Sequence, residues 1–283
     1  MNSILRISLI LSFILLSLLS EAQLFKPLAR KGQIYFGWGW NRAHYSNSDI
    51  HFTGDNYDFT LLDVSANDRQ SEFDAELYFN PGTITIPQTN MRLGYFLTDK
   101  IALSLGVDHM KYVMVNWVDV NIEGTLPNNA YDDLLHNGEI YLHPRFLKFE
   151  HTDGLNYINT EVEYFENLYQ KPKFQFNTFV GAGVGALFPK TNVTLMGNPR
   201  HDAFHLAGYG VDVKLGFELI LFKYFFIKAE MKKGFINMPD IITHGADFND
   251  RAAQHFFFTE WDGMFGVNYP LSRNQSPQNP MGE

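Results

Sequence analysis

The stretch HLAGYGVDVKLGFELILFKYFFIKAEMKKGF, residues 205–235, decides the fold because its side chains change character at every second position. A period of two is the spacing of a β-strand, and two such runs around a short interruption predict a hairpin. The hairpin has one bulky apolar face and one face of glycine and charge, so it needs two different surroundings. The apolar series is Ala207, Tyr209, Val211, Val213, Leu215, Phe217 and Leu219, and the other is Gly208, Gly210, Asp212, Lys214, Gly216 and Glu218.

The amino-acid composition limits the classes of protein to which the chain can belong. The chain has 283 residues, of which 45% are hydrophobic and 16% aromatic, so it is rich enough in apolar side chains to form a large ordered domain. Its formal net charge of -9 argues against nucleic acid as a partner. The absence of cysteine excludes disulfides, thiolate metal sites and cysteine nucleophiles.

The N-terminus has the pattern of an export signal. Arg6 precedes an apolar run at residues 7–19, and Ser20-Glu21-Ala22 is a small-x-small cleavage site before Gln23. We therefore expect residues 1–22 to be a cleaved signal peptide, with an uncleaved anchor as the alternative. No later stretch reaches the ~20 apolar residues that a spanning helix needs.

Eight segments show the alternation, and the connections between them are unequal. Three are short, at residues 98–100, 170–172 and 222–223. The others are long and polar, roughly at residues 46–87, 115–154, 188–204 and 237–254. This layout predicts an all-β, antiparallel up-and-down transmembrane barrel of about eight strands, with short periplasmic turns and long extracellular loops. Residues 57–64 and 117–123 also alternate, predicting extra hairpins and leaving a count of ten to twelve strands open.

The positions of the alternating segments also divide the chain into three regions after the signal peptide. We expect a periplasmic lead at residues 23–31, a barrel at residues 32–269 and a polar periplasmic tail at residues 270–283.

Volume and charge decide which face points inward. An eight-stranded barrel has a lumen only wide enough for side chains to fill, so the bulky series belongs outside and the glycines inside. Charges facing lipid are costly, whereas opposite charges in a lumen can pair. A soluble barrel with the apolar face inside is the alternative. The predicted lumen ion-pair network is Arg92, Asp108, Glu161, Glu163, Asp212, Lys214, Glu218, Lys228, Glu230, Lys232, Glu260 and Asp262.

Aromatic residues are expected at both membrane interfaces, where amphipathic rings are favoured. The sequence places Tyr95, Tyr169, Phe222, Tyr224 and Tyr269 at the periplasmic boundary. It places Trp40, Tyr45, Tyr112, Trp117 and Phe257 at the outer boundary.

With its signal peptide, its eight Gly-rich strands and FVGAGVGALFPKTNV at residues 179–193, the chain resembles the small outer-membrane barrels of the OmpA, OmpX and OmpW type, in a Bacteroidetes-like form. The resemblance implies the outer membrane of a Gram-negative bacterium. It also implies contact with outer-membrane lipid, lipopolysaccharide and the barrel assembly machinery, and favours a monomer. Those proteins usually end at the aromatic residue that closes the last strand. A tail follows Tyr269 here, so the assembly signal would be internal.

Histidines suggest one candidate metal site. All ten map to the predicted outer half, and His201, Asp202 and His205 form the tightest cluster. Neutral imidazole is a common ligand of divalent metals. The alternative is that lipid-facing strands exclude histidine, so that the loops collect it. No cofactor is expected, and only a divalent cation stays open.

A second candidate site lies in FEHTDGLNYINTEVEYF, residues 149–165, where His151, Asp153 and Glu163 could form a catalytic cluster at the rim. The stretch faintly resembles the His-x-Ser-Asn motif of the PagL lipid A deacylases, but Asp153 stands in place of the nucleophilic serine. Thr152-Asp153-Gly154 is read more simply as a turn between loop and strand.

The sequence favours a barrel with a structural or surface-interaction role and a charge-filled lumen over an enzyme. Two alternatives stay open. One is an outer-membrane enzyme that modifies lipid A or another lipid. The other is a transporter of small apolar molecules, which needs a luminal or lateral opening.

Overall fold

A computed structural model describes residues 29–83, 86–127, 131–244 and 249–271. The predicted signal peptide, most of the predicted lead and nearly all of the tail lie outside this range. The one described α-helix, α1, spans Ala75–Phe79, and 3₁₀ turns occupy Pro81–Thr83 and Asp132–Leu134. The strands are β1 (Gln33–Tyr45), β2 (Ser48–Gly54), β3 (Tyr57–Val64), β4 (Ala66–Asn67), β5 (Thr89–Phe96), β6 (Ile101–Met114), β7 (Asp119–Thr125), β8 (Leu135–His136), β9 (Glu139–Tyr141), β10 (Leu147–Lys171), β11 (Phe174–Leu187), β12 (Lys190–Leu195), β13 (His201–Phe204), β14 (Gly208–Leu221), β15 (Phe225–Ile242) and β16 (Arg251–Pro270).

Eight of these strands close into a ring. The order is β1-β5-β6-β10-β11-β14-β15-β16, and pairing of β1 with β16, from Gln33↔Pro270 to Tyr45↔Phe258, completes the circle. All neighbours are antiparallel. The prediction of an antiparallel up-and-down β-barrel is confirmed, and the ring has eight strands rather than ten or twelve.

The strands are strongly staggered around the ring. Following paired residues from Leu221 through Phe225, Val267 and Phe36, and on around the remaining strands, leads back to Val211 on β14. Leu221 and Val211 are ten residues apart, so one circuit shifts the register by ten. A shift of this size tilts the strands by roughly 35–45° to the barrel axis.

The remaining strands build an outer extension beyond one end of the ring. Strands β2, β3, β7, β9 and β8 continue the sheet from β16. Strand β12 joins β10 and in turn pairs with β13, while β4 joins β6. The hairpin strands predicted at residues 57–64 and 117–123 correspond to β3 and β7, which pair from Asp58↔Thr125 to Leu61↔Ile122.

Strand β10 corrects one prediction. Residues up to 154 were expected to be a loop ending in a Thr-Asp-Gly turn, but β10 begins at Leu147. The turn residues instead form a bulge between His151 and Leu155, where Gly154 has a φ of 131°. Because β12 pairs with the distal part of β10 from Leu147↔Leu195 to Glu150↔Asn192, the strand continues instead of ending at the rim.

The outer extension has its own apolar core. Tyr112 is buried there, stacked on Phe256 at 5.1 Å between ring centroids, and Tyr45 packs edge-on against Phe256. The prediction that Tyr112 and Tyr45 belong to the outer aromatic boundary was therefore wrong, because β6 and β16 continue into this core. No helix among the described residues is long and apolar enough to cross a membrane.

Candidate functional site

Alternation places charge inside the ring. The twelve residues of the predicted lumen network are all buried, on the inward-facing positions of β5, β6, β10, β14, β15 and β16. The structure adds Arg30, which is also buried. The sequence could not identify it, because Arg30 precedes β1 and belongs to no alternating segment.

Lys214 lies at the centre of this layer. Its Nζ is 2.5 Å from Glu161 Oε2, 2.9 Å from Glu163 Oε1 and 3.4 Å from Glu230 Oε2. Lys232 Nζ contacts the other oxygen of Glu161, Oε1, at 2.9 Å. Glu161 and Glu163 are therefore each shared by cations from different strands, which ties separate walls of the barrel together.

Arg92 extends the layer toward β6. Its Nη2 donates to Asp108 Oδ1 at 2.8 Å, and its Nη1 lies 3.1 Å from Glu161 Oε2. Asp108 also accepts from Lys232 Nζ. On the β16 wall, Asn90 Nδ2 donates to Asp262 Oδ1 at 2.7 Å and to Glu260 Oε1 at 3.1 Å.

An aromatic layer lies at the end of the lumen where the short turns are. Its buried members are Tyr35, Phe96, Ala102, Phe165, Phe179, Ile220 and Phe226. Lys228 Nζ lies 4.4 Å from the centroid of the Tyr35 ring, which gives cation–π contact to a charge that also pairs with Glu163. Arg30 is stacked 3.8 Å over Phe96 and donates to Glu218 Oε1 at 2.9 Å.

The opposite end of the charged layer is covered by the core of the outer extension. Tyr157 and Phe258 form its lowest part, with ring centroids 6.1 Å apart, and Tyr157 Oη donates to Asp212 Oδ2 at 2.7 Å. Along the barrel axis, the aromatic layer is thus followed by the ion-pair layer and then by the apolar cap. Together they occupy successive levels of the interior along the described strands.

The predicted catalytic cluster does not assemble. His151 is buried between the rings of Tyr112 and Phe149, with its Nδ1 2.8 Å from Thr191 Oγ1. Glu163 lies twelve residues along the same strand, about 35 Å away at the usual rise once the two extra residues of the bulge are left out, and it pairs inside the lumen. Asp153, across the bulge, is exposed and pairs with Lys190 at 3.3 Å. Burial lowers the pKa of His151 to about 3, which suits a neutral core side chain.

The predicted metal cluster is also dispersed. Asp202 is neutralised by Lys190 at 2.9 Å and Arg200 at 3.2 Å, while His205 Nε2 lies 2.8 Å from Asp240 Oδ2. Within the described ranges, no group of three or more His, Cys, Asp or Glu side chains is arranged to hold a metal ion. His201 and Asp202 lie on opposite faces of β13, and His205 follows the end of that strand.

The outer extension instead carries a polar surface pocket of about 460 Å³. Strands β10 and β12 form its floor, where Lys148 is paired with Thr194 and Glu150 with Asn192. Three basic side chains and one acidic side chain face it, and two of the bases are paired, Arg69 with Glu150 at 3.0 Å and Arg200 with Asp202 at 3.2 Å. Among its lining residues are Arg69, Asn116, Trp117, Lys148, Glu150, Asn192, Thr194 and Arg200.

Trp117 is the unusual member of this pocket. Its side chain is 59% exposed, and its φ of 68° is an outlier for a bulky residue. The backbone is held by Trp117 N donating to Leu142 O at 2.9 Å, and the ring stands edge-on to His143 at 4.7 Å. Such strain persists only where surrounding contacts enforce it, which marks the position as a candidate binding element.

Comparison with known proteins gives outline similarities only. No protein-family model and no curated protein matches the sequence. Among solved structures, Neisserial surface protein A is similar with a TM-score of 0.38 and 11% identity, over 85% of this chain and 99% of that one. The outer membrane protein OprG of Pseudomonas aeruginosa gives 0.41 and 11%, over 85% and 97%. Ail of Yersinia pestis gives 0.32 and 8%, over 84% and 99%.

Proposed function

We propose that this protein is an integral outer-membrane barrel with a sealed lumen that presents its outer extension as an interaction surface. The observation that carries the proposal is the three-layer filling of the interior. A barrel filled by paired charges between two apolar layers offers no path to a solute, so the functional surface must lie elsewhere.

The outside of the ring supports the membrane location. Its outward positions are large, apolar and exposed on every ring strand, as with Leu105, Val180, Val213, Ile227 and Phe265. Exposure of such a belt to water would be costly, whereas hydrocarbon solvates it. Closure of the ring satisfies the backbone groups that an open edge would leave bare in lipid.

Fractionation of cell envelopes tests the location. We expect the protein in the outer-membrane fraction, beginning near Gln23, and we expect unheated and boiled samples to migrate differently on a gel. Recovery in the periplasm without detergent would contradict the proposal. We expect a monomer that depends on the barrel assembly machinery for insertion.

Conductance in planar bilayers tests the seal and separates this proposal from a transporter. The wild type should show no steady conductance. The variant Lys214→Ala, if it inserts, should show leak currents because it opens space inside the charged layer. A conducting wild type would favour the transporter.

The surface pocket suggests the class of partner. An exposed indole beside arginine, lysine and amide side chains is the combination that stacks on a sugar ring and bonds to acidic groups. We therefore propose an acidic saccharide as the ligand. Titration of an acidic oligosaccharide into the detergent-solubilised protein should give binding that Trp117→Ala abolishes and that weakens with salt. Trp261→Ala, on the barrel wall, is the control. Binding that survives Trp117→Ala would remove this ligand class.

The lipid A enzyme hypothesis has a direct test. Because His151 is buried and distant from Glu163, His151→Ala and a gene deletion should leave lipid A acylation unchanged in mass spectra. A difference that depends on His151 would restore that hypothesis.

A further inference from the structure

Two cations stand on the lipid-facing side of the barrel, where the alternation otherwise places apolar residues. Arg42 on β1 and Lys233 on β15 both occupy outward positions and are exposed. Lys233 is paired with Val213 on one side and Thr259 on the other, and Thr259 with His44. Arg42 is paired with Trp261. The two cations therefore flank β16 from its two neighbouring strands, roughly 10 Å apart across the sheet.

Their height places them at the outer edge of the apolar belt. Lys233 is eight residues beyond the start of β15 at Phe225, and Arg42 is nine residues beyond the start of β1 at Gln33. For tilted strands these separations rise about 20 Å above the periplasmic turns, against a belt about 25 Å tall. Both side chains can thus reach the outer headgroup region while their stems stay in the apolar layer.

A groove opens in the apolar belt directly below Arg42. Its floor is Ala229, paired with Gly263. A Cβ added at Gly263 would meet nothing within 4 Å, so the surface there is recessed. Phe217, paired with Ala229, forms one wall, and Trp40, paired with Gly263, forms the other. The groove has a volume of about 530 Å³.

Helix α1 supports one wall of this groove. Trp40 packs edge-on against Phe79 at 5.0 Å and lies 5.8 Å from Tyr78. Gln70, which precedes the helix, lines the groove beside Arg42. The wall is therefore built by two separate segments.

A second groove of similar volume, about 530 Å³, lies on the other side of Lys233. Val211, Val213, Phe235 and Phe257 line it, together with Lys233 itself. Lys233 therefore stands between two apolar grooves, each wide enough for hydrocarbon, at the depth of the outer leaflet.

We propose that this wall, formed by β14, β15, β16 and β1, is a binding site for lipid A, the phosphorylated, multiply acylated glycolipid of the outer leaflet. Arg42 and Lys233 bind its phosphates, and acyl chains occupy the two grooves. The charge fits an anionic headgroup because Arg42 and Lys233 are both exposed cations at outward positions. Two grooves around one cation fit a lipid with several chains on a single headgroup. The site rests on the proposed membrane location.

Native mass spectrometry of the refolded full-length protein tests this site. The probes are hexa-acylated lipid A with two phosphates, its dephosphorylated form, and phosphatidylglycerol. We expect the wild type to retain lipid A roughly tenfold better than either other lipid. The double variant Arg42→Gln, Lys233→Gln should lose that preference. Gly263→Leu, which fills the recess, should lower retention of both forms of lipid A.

The matched control is Lys223→Gln, an exposed lysine in the turn at the opposite interface, which should retain lipid A as the wild type does. Heat-dependent gel migration checks that each variant is folded. Equal retention of lipid A by the double variant, or equal retention of phosphatidylglycerol by the wild type, would overturn the site. Either result can occur in a sealed outer-membrane barrel, so it leaves the proposed function standing. Envelope fractionation and conductance test that function separately.

Discussion

Lys232 on β15 and Glu260 on β16 are directly paired, and both side chains lie inside the barrel. Four residues further along the same two strands, Ile236 and Phe256 are paired on the same inward face but belong to an apolar core. The interior therefore changes from charged to apolar within about 13 Å. The outward-facing residues do not change with it, since Phe257, next to Phe256, is 65% exposed.

Leu105→Arg should block assembly. Leu105 is 55% exposed and four residues beyond the start of β6, near mid-depth of the belt, where an arginine facing lipid costs roughly 2–4 kcal/mol. The control is Leu206→Arg, since Leu206 is 52% exposed but precedes β14 in the outer extension. Heat-dependent gel migration after refolding into vesicles is the measurement. If both variants fold equally well, the belt does not face lipid at that depth.

Gly94→Ala and Gly263→Ala should differ sharply. A Cβ at Gly94 would lie 2.0 Å from Cε1 of Tyr35, a ring fixed in the aromatic layer, whereas a Cβ at Gly263 meets nothing within 4 Å. We expect the first change to destabilise the barrel by about 1–3 kcal/mol or more, and the second to be neutral. Urea unfolding followed by tryptophan fluorescence measures both. Equal midpoints would mean that the interior is looser than the structure indicates.

Lys214→Leu should be strongly destabilising, by about 3–5 kcal/mol, because Glu161 and Glu163 lose a shared cation in a dry lumen. Lys100→Leu is the control. It removes an ion pair with Glu166 that is exposed to solvent, so no measurable change is expected. The same unfolding assay compares them, and a mild effect at Lys214 would indicate that water reaches the network.

Low pH should destabilise the outer extension, because His151 is buried there in its neutral form. Its pKa is lowered to about 3 when folded and is about 6.5 when unfolded, so the unfolded chain binds the extra proton between these values. Stability is then lost as pH falls from about 6.5 toward 3, by up to about 1.4 kcal/mol per pH unit. Protease sensitivity of the extension at several pH values measures this loss. His151→Phe should flatten the dependence on pH, and an unchanged slope would assign it to other groups.

Much of the barrel could be predicted from the sequence, because lipid outside and a narrow lumen inside impose a strict period of two. The inward set from Arg92 to Asp262 follows from that period alone. The bulge at Gly154 and the continuation of β10 did not follow, because β10 has two more residues than β6 between His151 and Leu155, and in the sequence they read as a turn although the alternation resumes in the same phase.

The candidate sites were harder to predict from the sequence than the barrel. His151 and Glu163 are only twelve residues apart in the sequence, but an extended strand places them far apart in space. The surface pocket draws Arg69, Trp117, Lys148 and Arg200 from separate segments. No spacing relates such residues, since their approach depends on the pairing of β10 with β12 and on how the outer connections pack.

Strand β10 joins two regions that serve different purposes. Lys148, near its beginning, lines the surface pocket, while Glu161 and Glu163 anchor the ion pairs inside the ring. No hinge interrupts the strand between them, apart from one bulge. A force applied to a bound ligand would therefore act along β10, in shear against its ladders with β6 and β11. Many hydrogen bonds would then be strained together instead of being broken one after another. The surface pocket is therefore mechanically coupled to the membrane-spanning wall.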